Sequence, residues 1–248
     1  MQRVNYDDVA SRYDRRYERN RYDGVRAVLR RFVDSAPGAA VAEVGCGTGH
    51  WLADLAAGGF RPLAGLDRSG NMLALARDAA PDALLVQGTA HQLSWTDASF
   101  DRVFCVNALH HFPDQRGFVF ECRRVLRSGG GVLTIGLDPH CGDDDWWVYD
   151  YFPSALDADR LRYPSARTIR EWLIVAGFRE PATEAAEHFT AAISFDAAQK
   201  QGLFDRPGTS QLMVISDEDY EAGMKRLLTE QPVLRSDVRL YATTAWAR

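Results

Sequence analysis

Three glycines spaced two residues apart follow a short apolar run, and this pattern restricts the chain to few folds. The run covers residues 41–44, the glycines are Gly45, Gly47 and Gly49, and an apolar helical pattern starts at Trp51. The pattern predicts a strand, a tight turn and a helix. Glycine suits such a turn because it adopts positive φ angles and carries no side chain that would keep a ligand from the backbone. We therefore expect a nucleoside to bind against this turn.

The residue that narrows the choice of ligand is Glu43, two positions before the first glycine. Dinucleotide-binding folds use a similar glycine turn, followed by an acid about 20 residues further on, so the glycine spacing alone is a weak signal. A pyrophosphate gains nothing from a carboxylate at this position, whereas a cationic amino group does. The combination favours a nucleoside that carries a positive charge over a dinucleotide.

Five further segments follow the glycine turn in a fixed order. They are Gly65-Leu66-Asp67, Gly88-Thr89-Ala90, and residues 100–104, 107–112 and 126–130. Together with the acid-x-Gly-x-Gly-x-Gly turn, this set resembles the class I S-adenosylmethionine-dependent methyltransferases, and it is most similar to small-molecule enzymes of ubiquinone and menaquinone biosynthesis. The resemblance covers roughly residues 1–137. It implies an α/β fold with a Rossmann-like, seven-stranded, mostly parallel sheet, an antiparallel last strand, helices on both faces, an N-terminal helical lid and cap insertions.

A second acid, Asp67, closes the next predicted strand, 22 residues beyond Gly45. An acid there can accept hydrogen bonds from both ribose hydroxyls. The alternative is that Asp67 only caps the next helix, a position that Ser69 could also fill. The resemblance implies S-adenosyl-L-methionine as the cofactor and S-adenosyl-L-homocysteine as the product. The predicted cofactor-binding residues are Tyr13, Arg21, Glu43, Gly45, Cys46, Gly47, Gly49, Asp67, Arg68, Met72, Gly88, Thr89, Ala90, Asn107 and Ala108.

Within this set the resemblance implies particular roles. Tyr13 belongs to a lid segment over the cofactor, Arg21 reaches the methionine carboxylate, and Met72 lies against the adenine. Asn107 offers its backbone carbonyl to the amino group. Thr89 departs from the family pattern, in which an acid often occupies this position and binds the adenine amino group. A plain core position is the alternative for Met72.

We expect a single methyltransferase domain over residues 1–248. Residues 1–35 hold nine arginines and six acids, which predicts either an amphipathic helix pair with solvated charges or the implied lid. An aromatic-rich insertion is too long for an ordinary connection and predicts an acceptor pocket, with a structural flap as the alternative. Its candidate substrate-binding residues are Trp146, Trp147 and Tyr151. The predicted parts are the lid at 1–35, the cofactor-binding core at 36–137 and two substrate-cap insertions at 138–165 and 190–233.

The composition limits the partners and the compartment. A net charge of −5 and a pI near 5.7 disfavour a broad nucleic-acid surface, so we expect a small-molecule acceptor. We also expect a monomer or a homodimer. The four cysteines lack paired metal-ligand spacing and are predicted to be reduced, buried thiols. No apolar run approaches the roughly 18 residues of a membrane span, and no signal peptide is evident, so we expect no membrane contact and a cytoplasmic location. The cysteines are Cys46, Cys105, Cys122 and Cys141.

Methyl transfer from a sulfonium is an in-line displacement, so holding both reactants in position supplies much of the catalysis, about 7–11 kcal/mol in well-aligned cases. A base adds to this when an acceptor oxygen or carbon loses a proton, whereas a neutral amine attacks first. The candidate bases are His110, His111 and His140, and the alternative for each is a structural hydrogen bond. We predict no metal site, because adjacent histidines should project differently and the aspartates at 143–145 should be solvated.

The leading hypothesis is an enzyme that methylates O, N or C of a small, aromatic or hydrophobic metabolite. An RNA or protein methyltransferase is one alternative, which the arginine-rich start permits and the acidic balance disfavours. A noncatalytic nucleoside-binding module is a second, although the first motif is undamaged. Nicotinamide-dependent redox chemistry is a third.

Overall fold

The strand predicted before the three glycines is central to a parallel sheet in the computed structural model, which describes residues 14, 17, 20–34, 36, 38–206 and 209–248. The strands, in chain order, are β1 (Val41–Val44), β2 (Leu63–Asp67), β3 (Leu84–Gln87), β4 (Phe100–Val106), β5 (Leu126–Gly136), β6 (Asp145–Trp146), β7 (Phe178–Ser194) and β8 (Val233–Ala247). The helices are α1 (Asp23–Asp34), α2 (His50–Ala57), α3 (Gly70–Ala79), α4 (Gln115–Val125), α5 (Trp147–Tyr151), α6 (Pro153–Arg162), α7 (Ala166–Val175), α8 (Phe195–Lys200), α9 (Ser210–Met213) and α10 (Asp217–Glu230). Among the described residues, no helix has the length and apolarity needed to cross a lipid bilayer.

The chain divides into two compact units. The larger unit holds the described residues up to Leu137, together with Ala166–Glu187 and Leu240–Arg248. The smaller unit holds Asp138–Ser165 and His188–Arg239. The predicted cofactor core lies in the larger unit, and both predicted insertions lie in the smaller one. Strands β7 and β8 each contribute residues to both units.

Five parallel strands of the larger unit lie in the order β3-β2-β1-β4-β5. In the middle strand, Val41 pairs with Leu63 of β2 on one side and with Arg102 of β4 on the other. All four residues of β1 are buried, as expected for a parallel strand covered on both faces. This order places the carboxyl ends of β3, β2, β1 and β4 side by side.

The C-terminal part of β8 runs antiparallel to β5, with Gly131 opposite Trp246, which confirms the predicted antiparallel last strand. The described residues form eight paired strands rather than the expected seven. The additional strand is β6, whose two residues pair with Ser236 and Asp237 within the smaller unit. A strand of this length has no hydrophobic period that a sequence could reveal.

Strand β5 begins earlier than the sequence predicts. The small residues at 128–131 predict the end of the preceding helix and a strand that starts at Val132. In the structure, Leu126 already pairs with Phe100 and Gly131 pairs with Arg102, with a shift of register between the two pairs. The strand extends over the glycines because β4 supplies its hydrogen-bonding partners. Local propensity does not predict such long-range pairing.

Helix α1 is the described helix of the arginine-rich N-terminal region, and it is amphipathic as predicted. Its charged face meets α2, where Arg26 and Arg30 pair with Asp54 at 2.7 and 3.2 Å. Phe32, on the buried face, lies 5.9 Å from the ring of Trp246. The helix therefore covers part of the larger unit instead of standing free in solvent. The buried residues of α1 are Val25, Val28, Leu29, Phe32 and Val33.

Capping residues fix the starts of the helices beside the sheet edge. Ser69 precedes α3 and accepts a hydrogen bond of 3.1 Å from the amide of Met72. Asp114 precedes α4 and accepts one of 2.7 Å from the amide of Gly117. Each cap contributes about 1 kcal/mol. Because Ser69 caps α3, Asp67 is left for another role.

Each unit has its own hydrophobic core. In the larger unit, Val103 of the sheet packs with Phe118 of α4 and Leu173 of α7. In the smaller unit, Phe152 packs in a cluster with Leu212 and Leu227.

Three of the four cysteines are buried as predicted, but Cys141 is exposed. Cys141 lies in a turn soon after β5, where its Sγ donates to the carbonyl of Asp138 at 2.9 Å. The prediction of four buried thiols was wrong for this residue because a turn provides no apolar face to bury it.

Candidate functional site

The glycine turn lies at the carboxyl end of β1. The φ angles of Gly45, Gly47 and Gly49 are 77°, 52° and 79°, in the region that glycine adopts without steric cost. The amides of Gly45 and Cys46 both donate to the carbonyl of Leu66, at 2.7 and 3.0 Å. These two hydrogen bonds fix the turn to the neighbouring strand β2.

The segment that follows β4 closes against the same turn. A Cβ atom at Gly45 would lie 2.6 Å from the Cβ of Ala108 and 3.3 Å from the ring of Phe112. The first of these distances is shorter than any ordinary carbon contact, so a side chain at Gly45 would displace the backbone of one strand end. Gly45 is therefore required by packing as well as by its backbone angle, and the sequence pattern does not reveal the packing requirement.

Two carboxylates flank the turn. Glu43 of β1 is 1% exposed, and Asp67 accepts hydrogen bonds of 2.9 Å from the amides of Gly47 and Ser69. Burial raises the pKa of Asp67, and these amide donors oppose the shift. Burial also raises the pKa of the Cys46 thiol, and the charges of Glu43 and Asp67 raise it further. The turn therefore lies in negative potential, which favours a cationic ligand.

Strands β3 and β4 bring further predicted residues to this edge of the sheet. The amide of Gly88 donates to the carbonyl of Asp67 at 3.0 Å, and Thr89 is exposed beside it. Asn107, with a φ of 50°, turns the chain directly after β4. Open parallel sheets bind ligands outside the carboxyl ends of their strands. The predicted residues that the structure brings to this edge are Glu43, Gly45, Cys46, Gly47, Gly49, Asp67, Gly88, Thr89, Ala90, Asn107 and Ala108.

The other predicted cofactor residues have different surroundings. Met72 is 1% exposed within α3, whereas Arg68 is exposed. The side chain of Arg21 is 89% exposed and pairs with Asp23 at 3.0 Å. Tyr13, together with most of the predicted lid segment, lies outside the described residues. The roles of all four stay predictions.

Two contacts that the sequence does not predict connect the N-terminal region to the turn. Thr48, between the second and third glycines, donates from Oγ1 to Oδ1 of Asp14 at 2.6 Å. The ring of Tyr17 stacks on that of His50, with centroids 3.5 Å apart and planes at 2°. Thr48 lies at a position where the glycine pattern specifies no residue type. The sequence pattern therefore does not predict this contact.

The candidate bases His110 and His111 lie beyond β4 in a 3₁₀ turn (Leu109–His111). Their ring centroids lie 3.8 Å apart with the planes at 50°, so the expectation that adjacent histidines project differently is wrong. The tight turn brings the two rings together. His110 is 8% exposed, and His111 is half-buried. His140 lies in the smaller unit, where its Nε2 is 2.8 Å from the carbonyl oxygen of Tyr163.

A family model described as a methyltransferase domain matches residues 42–134, which include the glycine turn, both carboxylates and the histidine pair. A protein of Mycolicibacterium smegmatis, named as a probable S-adenosylmethionine-dependent methyltransferase, is 33% identical over 215 residues. The match covers 85% of this chain and 77% of that protein. This chain belongs to the S-adenosylmethionine-dependent methyltransferases.

Two other relatives of this methyltransferase match over a shorter length. An O-methyltransferase of Pyrenophora dematioidea is 31% identical, over 61% of this chain and 58% of that protein. YcgJ of Bacillus subtilis, named as an uncharacterized methyltransferase, is 31% identical over 65% of this chain and 64% of that protein. Each of these sequence matches thus spans less than two thirds of the relative's length. The crystal structure of YcgJ has the same fold, with a TM-score of 0.63, 20% identity, and coverage of 90% of this chain and 98% of that chain.

The charges and the backbone of the glycine turn and its two acids match the chemical groups of the family's cofactor. S-adenosylmethionine carries a sulfonium and an ammonium group, and a buried cation is stabilised only by a paired charge. Glu43 would hold the ammonium group, and Asp67 would accept hydrogen bonds from the ribose hydroxyls. The side-chain-free backbone at Gly47 would let the nucleoside approach closely.

The predicted acceptor residues of the methyltransferase lie in the smaller unit. Trp147 is 7% exposed and belongs to the core of that unit. Trp146 is half-buried, with its ring centroid 5.1 Å from that of Tyr149. The hydroxyl of Tyr151 donates to Glu230 at 2.7 Å. Of the three predicted residues, Trp147 thus has the clearest structural role.

The aspartate run at 143–145 is only partly solvated, contrary to expectation. Asp143 and Asp145 are exposed, but Oδ1 of Asp144 accepts a hydrogen bond of 2.9 Å from the amide of Arg239. Burial raises the pKa of Asp144. No group of three or more potential metal ligands occurs in the part of the chain that the structure describes.

Proposed function

We propose that this methyltransferase transfers the methyl group of S-adenosylmethionine to O, N or C of a small, aromatic or hydrophobic metabolite. The observation that carries the proposal is the pair of acids, Glu43 and Asp67, beside a glycine turn whose amides are fixed to Leu66. The bound cofactor supplies a methyl carbon that its sulfonium already activates. The contribution of the chain is to hold and align the reactants.

The two acids have distinct tasks in this proposal. Glu43 stabilises the ammonium group of the amino-acid portion, and Asp67 binds the ribose. The hydrogen bonds from Gly47 and Ser69 hold the Asp67 carboxylate in one orientation before the ligand arrives. The contacts of Asp14 and Tyr17 with the turn support a lid formed by the N-terminal region.

The insertions at 138–165 and 190–233 select the acceptor in this proposal. Their aromatic residues suit an apolar or aromatic molecule. Demethylmenaquinone methyltransferases are among the relatives of the chain, and that name denotes a quinone-type acceptor for those proteins.

The histidine pair supplies a base when the acceptor must lose a proton. His111 is the better placed of the two to exchange a proton with solvent, because His110 is 8% exposed.

The test uses purified full-length protein and radiolabelled S-adenosylmethionine. Label should pass to members of a panel of phenols, amines and activated carbon acids, and S-adenosylhomocysteine, not NADH, should raise the melting temperature. Transfer to bulk RNA, with binding that weakens steeply as salt rises, would favour the nucleic-acid alternative instead. Absence of a thermal shift with S-adenosylmethionine and with S-adenosylhomocysteine would overturn the proposal.

A further inference from the structure

Two charged residues of α4, Glu121 and Arg124, hold a loop that lies far from them in sequence. The loop covers residues 88–97, follows β3 and lies outside the helices and strands. Within it the amide of Gln92 donates to the carbonyl of Thr89 at 3.2 Å and closes a tight turn. We call residues 88–97 the β3 loop.

Arg124 uses all five of its N–H groups, and three of them contact the β3 loop. Nη2 donates to the carbonyl of Leu93 at 2.9 Å, and Nη1 donates to the carbonyl of Trp95 and to Oδ1 of Asp97, both at 2.8 Å. The other two N–H groups, on Nε and Nη2, donate to the two carboxylate oxygens of Glu121 at 2.8 and 2.7 Å. A planar guanidinium can serve five acceptors at once, whereas a lysine ammonium has three donors on one nitrogen.

Glu121 attaches the same part of the loop through a second backbone group. Its Oε2 accepts a hydrogen bond of 2.7 Å from the amide of Leu93, so α4 binds both the amide and the carbonyl of that residue. Hydrogen bonding from Arg124 lowers the pKa of Glu121, the Leu93 amide lowers it too, and burial opposes both. The carboxylate is therefore charged at neutral pH, and charged acceptors form the stronger hydrogen bonds.

The side chains of the loop anchor it in a different way. Those of Leu93 and Trp95 are buried in the core of the larger unit, which fixes where the loop lies. Burial of a side chain is non-directional and leaves the orientation of the peptide groups open. The hydrogen bonds from Glu121 and Arg124 fix that orientation.

The order of the strands indicates which part of the cofactor meets this loop. In the proposed function Glu43 of β1 holds the amino-acid portion, and Asp67 at the end of β2 holds the ribose. The ribose joins the amino-acid portion to the base, so the base lies beyond Asp67 on the side away from Glu43. The next strand end in that direction is that of β3. The amide of Gly88 donates to the carbonyl of Asp67 at 3.0 Å, which keeps the start of the loop beside the ribose acid.

The residues at the start of the loop favour recognition of the base by the backbone. Thr89 and Ala90 carry a hydroxyl and a methyl group, and neither side chain is charged. Adenine presents a donor, its 6-amino group, beside an acceptor, its ring nitrogen N1. A peptide carbonyl and a peptide amide match this edge, because each backbone residue offers one acceptor and one donor. Such recognition depends on how the peptide groups are oriented.

We propose that Glu121 and Arg124 are positioning residues for the adenine of S-adenosylmethionine. They act through the β3 loop, whose peptide groups they hold in the arrangement that the base requires. The inference rests on the proposed function, which assigns the amino-acid portion to Glu43 and the ribose to Asp67.

The experiment compares calorimetric titrations of the full chain with S-adenosylhomocysteine and with S-inosylhomocysteine, which carries an oxygen in place of the 6-amino group. The wild type should bind the adenine compound about tenfold more tightly, or better. Two variants test the pair: Arg124→Lys, which keeps the charge but loses the fork of donors, and Glu121→Gln. Each should weaken binding of S-adenosylhomocysteine by about tenfold and leave that of S-inosylhomocysteine nearly unchanged.

The matched control is Arg127→Lys. Arg127 donates to the carbonyl of Ala98 at 3.2 Å and pairs with Asp101 at 2.6 Å, so both of its contacts lie outside the β3 loop. This variant should keep the preference of the wild type for adenine. The preference is a ratio of two affinities of the folded protein, so a loss of stability alone does not change it.

An unchanged preference in both α4 variants would overturn the inference and leave the proposed function in place, since the wild type would still bind S-adenosylhomocysteine. An equal loss of preference in Arg127→Lys would also overturn it, because the effect would not be specific to the loop. A wild type that binds both nucleosides equally would show that the loop does not distinguish the base, with the same consequence. If the wild type bound neither nucleoside, the proposed function itself would fail, and this inference with it.

Discussion

The backbone amide of Gly47 donates a hydrogen bond of 2.9 Å to Oδ2 of Asp67. The second glycine of the turn and the acid of the next strand are therefore one structural unit, although 20 residues separate them in the chain. The carboxylate is oriented before any ligand binds, so binding costs it little conformational freedom.

Asp67→Asn should weaken binding of S-adenosylhomocysteine by about 10- to 100-fold, because an amide keeps one acceptor but loses the charge that strengthens hydrogen bonds. Calorimetry measures this loss. The matched control is Asp78→Asn, an exposed residue of α3, which should bind normally. An equal loss in both variants would point to a general effect of net charge.

Glu43→Gln should weaken binding of S-adenosylmethionine and S-adenosylhomocysteine by a similar factor, about tenfold or more. The reason is that both ligands carry an ammonium group, which the buried carboxylate stabilises. Binding of 5′-methylthioadenosine, which lacks the amino-acid portion, should be nearly the same for wild type and variant. If affinity for that nucleoside fell as much, Glu43 would have a structural role only.

Gly45→Ala should destabilise the protein by more than the cost of its positive φ alone. Gly59→Ala is the matched control, because Gly59 has a φ of 85° and nothing near its missing side chain. The free energy of unfolding should fall by roughly 1–2 kcal/mol in the control, and by about 1–3 kcal/mol more in Gly45→Ala. Denaturant unfolding measures both.

Adding Ala108→Gly to Gly45→Ala should recover most of that extra loss, since it removes the atom that lies 2.6 Å from the new Cβ. Simple additivity of the two substitutions would show that the contact does not limit this position.

The turn and its acids could be predicted because their signals are local. The glycines, Glu43 and Asp67 lie at the ends of short apolar runs, and parallel strands bring such ends together. The close approach of Gly45 to Ala108 could not be predicted, since it depends on the distance between two strand ends that are far apart in sequence.

The smaller unit was harder to predict for a related reason. Aromatic residues at 146–151 indicate packing or binding, and only tertiary contacts show that Trp147 belongs to the core of that unit. The strand over the glycines at 129–131 and the exposure of Cys141 likewise depend on partners that local sequence does not contain.

Glu121→Gln should destabilise the protein near neutral pH and have little effect in acid. Hydrogen bonding from Arg124 lowers the pKa of Glu121 from its ordinary value of 4.5, so the folded state favours the charged form. This contribution is present above pH 4.5 and is lost as the pH falls through the lowered pKa of the folded state. Urea unfolding between about pH 3 and pH 7 measures the difference.

Glu171→Gln is the control for this pH dependence, because Glu171 pairs with Arg167 at the surface. The side chain of Glu171 is 57% exposed and that of Arg167 is 83% exposed. Such pairs contribute roughly 0–1 kcal/mol. A difference between Glu121→Gln and wild type that stays constant down to pH 3 would contradict the charge-based explanation.

His111→Ala should lower kcat by about 100- to 10,000-fold on a phenolic acceptor and much less on a neutral amine, because only the phenol must lose its proton before or during attack. Affinity for S-adenosylhomocysteine should stay the same. His91→Ala, at an exposed histidine after β3, is the control. Unchanged kcat on the phenol would exclude His111 as the base.

The smaller unit is built from two separate excursions of the chain, Asp138–Ser165 and His188–Arg239, while the glycine turn and both of its acids lie outside them. On the proposed function, sequence variation confined to these two stretches changes the residues that select the acceptor and none of the residues that bind the nucleoside.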